Sequence, residues 1–218
     1  MADLPLVQTW NLPKFLPKLM TKICKGMPKY ARKSEKSRKV KRLEQPENTG
    51  NMRKIKILFV CHGNICRSPM AEFILKDKVE KRGLTSRFEI ASAATSTEEI
   101  WNGKGNPIYP PAQAELRRRG IGGTAYTDFS GKRARQVTRE DYEHYDYLLC
   151  ADTANIRNTI RITGADTEGK INLLLDYTDR PGCSIADPWY SGNFEDTYRD
   201  VDAGCEGFLA YLKEKGAI

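Results

Sequence analysis

The sequence predicts an α/β fold: a single domain with a central parallel sheet of about four strands and helices on both faces, plus a basic N-terminal extension. Three observations carry that expectation. Apolar, β-rich runs at residues 55–60, 87–91, 147–150 and 171–175 are separated by stretches with helical spacing, and strands joined through helices form parallel sheets covered on both sides. The first run feeds a short polar loop that opens into a helix, which places a ligand site at the carboxyl ends of the strands. Charge is unevenly spread: of 36 Lys+Arg and 28 Asp+Glu, residues 1–51 hold 12 and 4, leaving 24 of each sign beyond. The folded part is neutral, so the net charge of +8 is local to the extension.

Residues 1–51 are dense in lysine and arginine from Lys14 to Arg42, and prolines at 5, 13, 17 and 28 interrupt any long helix. Such a segment is too polar to own a core, and disorder is the expectation. Trp10, Phe15, Leu16 and Leu19 give it a short apolar face, so weak contact of this basic arm with an anionic membrane surface or with nucleic acid is the competing one. The domain proper is 52–218, and its zero net charge argues against a nucleic-acid partner. Six cysteines at no metal-ligand spacing, no signal-peptide pattern and no apolar run long enough to span a bilayer point to a reducing, cytoplasmic compartment without a transmembrane segment.

The elements follow in order. Ser68 reads as an N-cap with Pro69 at the first helical position, and Met70, Phe73, Ile74 and Val79 give a helix to about Arg82 that Gly83 ends. Residues 95–109, rich in Gly, Asn, Thr and Glu, form a long irregular connection, which in a small domain is usually a functional edge; Trp101 is its candidate aromatic wall. A helix follows over 110–119, whose Arg117-Arg118-Arg119 reads as a solvated end suited to the helix dipole. A further helix is expected over 134–143. Asp152 caps one running to about Ile162, and 193–215 closes the fold as a long amphipathic helix carrying Phe194, Val201, Cys205, Phe208, Leu209 and Leu212.

The chemistry concentrates between Cys61 and Arg67. Backbone N–H groups of a loop at a helix N-terminus favour an anion, and Arg67 has the geometry to clamp two oxygens of a tetrahedral oxyanion. Gly63 and Asn64 tolerate the positive φ that an inward-wrapped loop requires. The field that holds an anion also favours the thiolate of Cys61, and a thiolate on the floor of a phosphate loop is a phosphoryl-transfer nucleophile. Asp187-Pro188, in a Gly/Asp/Pro-rich loop after the last strand, is the candidate proton donor, its backbone biased to an extended shape by the proline.

Val60-Cys61-His62-Gly63-Asn64-Ile65-Cys66-Arg67-Ser68-Pro69, followed by Met70-Ala71-Glu72, closely resembles the signature of the low-molecular-weight protein tyrosine phosphatases. The resemblance continues through Ser92-Ala93-Ala94, Ala134-Arg135-Gln136, Leu149-Cys150-Ala151-Asp152 with Asn155 and Arg157, and Asp187-Pro188-Trp189-Tyr190, covering about residues 53–215. Chains of that family typically begin near Met52, so residues 1–51 are either upstream sequence or a lineage-specific extension.

The resemblance implies hydrolysis of phosphotyrosine in proteins with Cys61 as nucleophile, Arg67 as phosphate clamp and Asp187 as general acid and base. It implies neither metal nor other cofactor. By the same resemblance Ser92 hydrogen-bonds Asn64 to hold the loop, Ser68 eases departure of the sulfur, and Cys66 pairs reversibly with Cys61 against over-oxidation. Trp101, Trp189 and Tyr190 would wall a pocket deep enough for phosphotyrosine and too deep for phosphoserine.

Two departures stand out. His62 replaces an aliphatic or small pocket residue of related chains, and Arg133 stands where many carry a histidine that contacts the loop asparagine. Two related activities compete. Arginine phosphatases carry threonine at the position of Ile65, which favours tyrosine here. Arsenate reductases shuttle a disulfide through two further cysteines, of which Cys150 matches the first while Arg157 takes the place of the second.

Overall fold

The strand that leads to the active loop is buried on both sides. In this computed structural model Ile57, Phe59 and Cys61 face one hydrophobic cluster, while Leu58 and Val60 face another. Residues 53–218 are described; the expectations for residues 1–51, and for Met52 as a boundary, lie outside them. In chain order the elements are β1 (Ile55–Cys61), α1 (Arg67–Lys81), β2 (Phe88–Ala94), β3 (Ile100–Trp101), β4 (Lys104–Gly105), α2 (Pro110–Arg118), α3 (Arg139–His144), β5 (Tyr147–Cys150), α4 (Thr153–Thr163), β6 (Ile171–Leu173), α5 (Pro188–Ser191) and α6 (Phe194–Glu214).

Four strands form one parallel sheet in the order β2-β1-β5-β6. Pairing aligns Cys61 with Ala94, Val60 with Cys150, and Cys150 with Leu173, so the carboxyl ends share one edge. The chain leaves β1 towards β2 and later returns to β1's other side as β5. The loops after β1 and β5 therefore part at the point where strand order reverses, the place where open α/β sheets bind ligands. Helices α1, α2 and α6 pack on the Ile57–Phe59 face through Met70, Ile74, Leu116 and Phe208. Tyr142 of α3 and Ile156 and Ile162 of α4 cover the other. Each such buried side chain contributes about 1.5–3 kcal/mol.

Three local expectations are corrected. Helix α1 begins at Arg67, one residue before the expected cap, because the Ser68 hydroxyl turns to Cys61 and Asn64 instead of to its own helix. Residues 134–137 are extended, not helical: Ala94 N–H donates to the Arg135 carbonyl at 2.7 Å and Val137 N–H to the Ala94 carbonyl at 2.8 Å, lengthening the end of β2. The helix starts only at Arg139, where Thr138 and Asp141 form a reciprocal capping box. The last strand stops at Leu173, and Leu174–Tyr177 turn as 3-10 helix.

The arginines ending α2 are not simply solvated. Arg118 and Arg119 both pair with the buried Glu115, at 2.7 and 2.9 Å, and reach Glu195 at the start of α6, while Arg117 lies over the Phe129 ring. Burial works against the Glu115 charge, but the two guanidinium groups outweigh it and hold the carboxyl below its ordinary value. Within 95–109 the chain is also less irregular than expected, since β3 and β4 make a two-stranded hairpin.

Helix α6 lies against the 3-10 turn so closely that a Cβ at Gly207 would stand 2.0 Å from the Tyr177 carbonyl oxygen. A backbone atom cannot rotate aside as a side chain can. Gly207→Ala is therefore expected to cost about 1–3 kcal/mol, read as a lower thermal midpoint; an unchanged midpoint would contradict this packing.

Candidate active site

Five residues, His62 to Cys66, connect β1 to α1, and the sulfur of Cys61 is at the base of this loop with the residue 3 % exposed. Its Sγ lies 3.0 Å from Ser68 Oγ and accepts the Asn64 N–H at 3.3 Å. Asn64 alone in the loop adopts positive φ, at 58°. Its side chain fixes that conformation by donating from Nδ2 to Ser68 Oγ at 2.9 Å and to Ser92 Oγ at 2.8 Å, while Oδ1 accepts the Arg135 N–H at 3.3 Å. Gly63 is not in the left-handed region. Its small size serves instead the approach of Glu99, whose Cγ would lie 3.0 Å from an added Cβ. Among the described residues the N–H groups of Gly63, Ile65, Cys66 and Arg67 have no protein acceptor, which leaves them for an anion at the helix N-terminus.

Arg67, 6 % exposed, is held from two sides: Nη1 donates to Asp152 Oδ2 at 2.7 Å and Nη2 meets Asp187 Oδ2 at 2.7 Å. Burial opposes its charge, but Cys61, Asp187 and Asp152 outweigh that and raise the guanidinium above its ordinary value. Asp152 was legible only as a helix cap. It does cap α4, accepting the Asn155 N–H at 2.7 Å on Oδ1, and its other oxygen aims Arg67. Asp187 is extended, as its proline requires, and also caps the short α5 by accepting the Trp189 N–H at 3.1 Å.

The remaining expected residues divide into supports and rim. Ile65 and Cys66 are buried beside Ala134, and burial, reinforced by the nearby charges of Cys61 and Asp187, pushes the Cys66 thiol up to about 12. Both loop thiols are free. Ser92, wholly buried in β2, donates to Glu72 Oε2 at 2.7 Å. His62 lies at the rim, its Nε2 2.8 Å from Glu98 Oε2, beside a shallow cavity lined by Thr95, Gln136, Asn158 and Arg161. Trp189 joins Tyr109 and Phe194 around an apolar groove of about 310 Å³ next to Asp187, the Tyr109 ring 5.8 Å from that of Trp189. Tyr190 is 88 % exposed beyond it, and Trp101 stands on the hairpin, 69 % exposed.

Sequence reasoning did not name Tyr109 or Phe194 as groove residues. Arg133 turns outward to the carbonyls of Ser130 and Lys132, whereas Lys132 enters the support beneath the loop, with Nζ 2.9 Å from Glu72 Oε2 and 3.0 Å from the Ser92 carbonyl oxygen. Among the described residues no group of three or more His, Cys, Asp or Glu side chains stands ready to hold a metal ion, and no helix is long and apolar enough to cross a membrane.

The family model described as low molecular weight phosphotyrosine protein phosphatase matches residues 56–217, from the first strand to the end of the last helix. The chain belongs to that family. Among curated relatives, the low molecular weight protein-tyrosine-phosphatase YfkJ of Bacillus subtilis is 39 % identical over 162 residues, covering 74 % of this chain and 97 % of its own. The Gallus gallus low molecular weight phosphotyrosine protein phosphatase is 38 % identical over 157 residues, covering 70 % and 92 %. The crystal structure of YfkJ superposes with a TM-score of 0.68 at 37 % identity, over 76 % of this chain and 99 % of that one.

Proposed function

We propose that this chain hydrolyses phosphotyrosine in proteins through a cysteinyl-phosphate intermediate. The observation that carries the reading is the Cys61 sulfur within reach of Ser68 Oγ, at the base of a loop of free N–H groups whose Arg67 is already aimed by Asp152.

A phosphomonoester entering the loop takes Arg67 Nη2 and the loop N–H groups as donors for its nonbridging oxygens. The Cys61 thiolate then attacks phosphorus in line. The bond from phosphorus to the phenolic oxygen breaks, and Asp187, which takes up a proton from solvent once it is released from Arg67, gives that oxygen the proton. In the second step Asp187 takes a proton from water, the water oxygen attacks phosphorus, and the sulfur leaves as thiolate with Ser68 donating to it. The reaction returns orthophosphate and the starting enzyme, with charge stabilised by the loop and Arg67 and no metal required.

Ile65, buried beside Cys66 and Ala134, offers no hydroxyl to a guanidinium, which favours tyrosine over arginine as the phosphorylated side chain. A disulfide relay is disfavoured by Cys150, which is fully buried, its thiol pushed up to about 12 by that burial. Peptides bearing phosphotyrosine, phosphoarginine and phosphoserine, with arsenate alongside, test the assignment. Phosphotyrosine is expected to turn over fastest, with phosphoserine at least about 100-fold slower. Faster release of phosphate from phosphoarginine would overturn the Ile65 argument.

A further inference from the structure

Two hollows adjoin the active loop, and their linings differ in kind. The groove around Trp189 presents aromatic rings and prolines. The cavity beside His62, of about 320 Å³, is mixed and largely polar, lined by Thr95 and Gln136 at the sheet edge and by Asn158, Arg161 and Ile162 of α4. No lining residue is acidic, and Arg161 is the lining side chain whose charge is permanent.

That arginine lacks a counter-ion. Arg67, Arg118, Arg119 and Arg135 each meet a carboxylate at 2.7–2.9 Å. Arg161 donates from Nη1 only to the neutral Asn158 Oδ1, at 3.4 Å, and among the described residues no carboxylate lies within ion-pair distance of it. The acid at this rim, Glu98, is engaged by His62, with Nε2 2.8 Å from Oε2, and does not line the cavity. A second observation comes from the wall itself. Thr95 is 8 % exposed, and its hydroxyl oxygen has no hydrogen-bond partner in the protein. Buried hydroxyl groups are rarely left so, and this one marks a wall that suits a polar occupant.

The cavity is also tied to the nucleophile's own segment. Thr95 N–H donates to the Cys61 carbonyl oxygen and Ser96 N–H to that of His62, both at 2.9 Å. His62 follows Cys61 directly, so the cavity begins one residue, about 3.8 Å along the chain, from the residue that carries the sulfur. An extended peptide advances about 3.3–3.6 Å per residue, which brings side chains near the phosphorylated one over His62.

We propose that this cavity is a subsite for a carboxylate of the substrate, an aspartate or glutamate within about three residues of the phosphotyrosine, and that Arg161 is its specificity-determining residue. The inference rests on the phosphatase reading above and deepens it. A guanidinium offers a carboxylate two parallel N–H groups, and the Asn158 amide, whose Oδ1 already faces Arg161, has its Nδ2 hydrogens left to add a neutral donor. Phosphate on Arg67 and carboxylate on Arg161 occupy separate cations, so the second anion does not displace the first. Arg161 is open to water, which keeps the preference modest.

A series of phosphotyrosine peptides tests this, with a single glutamate or lysine stepped through the positions flanking the phosphotyrosine in an otherwise uncharged background. At low ionic strength, glutamate at one position or at two adjacent ones is expected to raise kcat/KM about 3- to 5-fold over the uncharged peptide, through KM, and lysine there to lower it. Arg161→Ala is expected to bring the ratio of glutamate to uncharged peptide to about 1. Arg161→Glu, at the same exposed position, is expected to invert the order so that lysine exceeds glutamate. A series in which no position favours glutamate, or a preference that survives in both variants, would overturn the subsite while leaving the phosphatase reading in place. A native chain that releases phosphate neither from these peptides nor from p-nitrophenyl phosphate would overturn the phosphatase reading, and the subsite with it.

Discussion

Cys61→Ser is expected to lower turnover of phosphotyrosine peptides by at least about 10⁴-fold while leaving their binding within about 10-fold of native. The two halves of this result have separate causes. A serine hydroxyl at the base of the loop stays protonated at neutral pH, where a cysteine sulfur provides the nucleophile, so no cysteinyl phosphate forms. Affinity comes from groups the substitution leaves in place: the free N–H groups of Gly63, Ile65, Cys66 and Arg67, and the guanidinium aimed by Asp152. The oxygen is also smaller than sulfur, which leaves the Ser68 and Asn64 contacts room to persist. Single-turnover kinetics measure the first half and isothermal calorimetry with a phosphotyrosine peptide the second. Retention of more than about one per cent of native kcat would remove Cys61 from the chemistry.

How much of this site is legible in the sequence depends on whether a residue acts through its neighbours along the chain. Cys61, Asn64, Arg67 and Ser68 lie within eight positions, and the strand, loop and helix that fix their geometry are all local. Asp152 is 85 residues from the guanidinium it orients. Its capping role has a local signature, with Asn155 three positions on, but its second role exists only because β5 pairs with β1 at the reversal of strand order. Lys132 was hidden for a different reason. Reading residues 134–143 as helix suppresses the alternation of an extended segment, in which Lys132 and Ala134 point inward and Arg133 outward. Tertiary pairing with Ala94, not local propensity, makes that segment extended. The aromatic groove shows the same limit: Trp189 follows Asp187 and was expected, whereas Tyr109 and Phe194 reach it from the start of α2 and of α6.

The largest effect that leaves the nucleophile untouched is expected from Asp187→Asn. Asparagine caps a helix as well as aspartate does, and its amide oxygen still accepts the Trp189 N–H, so thermal stability should change by less than about 1 kcal/mol. What it loses is the proton. For phosphotyrosine, whose phenol is a poor leaving group without protonation, kcat is expected to fall about 10²–10³-fold at neutral pH. For p-nitrophenyl phosphate, whose phenolate departs readily unprotonated, the loss should be markedly smaller. The ion pair between Asp187 and Arg67 adds a second signature. In the native chain phosphate and Asp187 compete for Nη2; the neutral amide competes less well, so KM is expected to fall along with kcat. Equal losses of kcat with both leaving groups would mean that Asp187 serves only to hold Arg67. A proton donor is thereby separated from an orienting carboxylate, a distinction that geometry alone leaves to Asp152 and Asp187 jointly, because both carboxylates lie 2.7 Å from the same guanidinium.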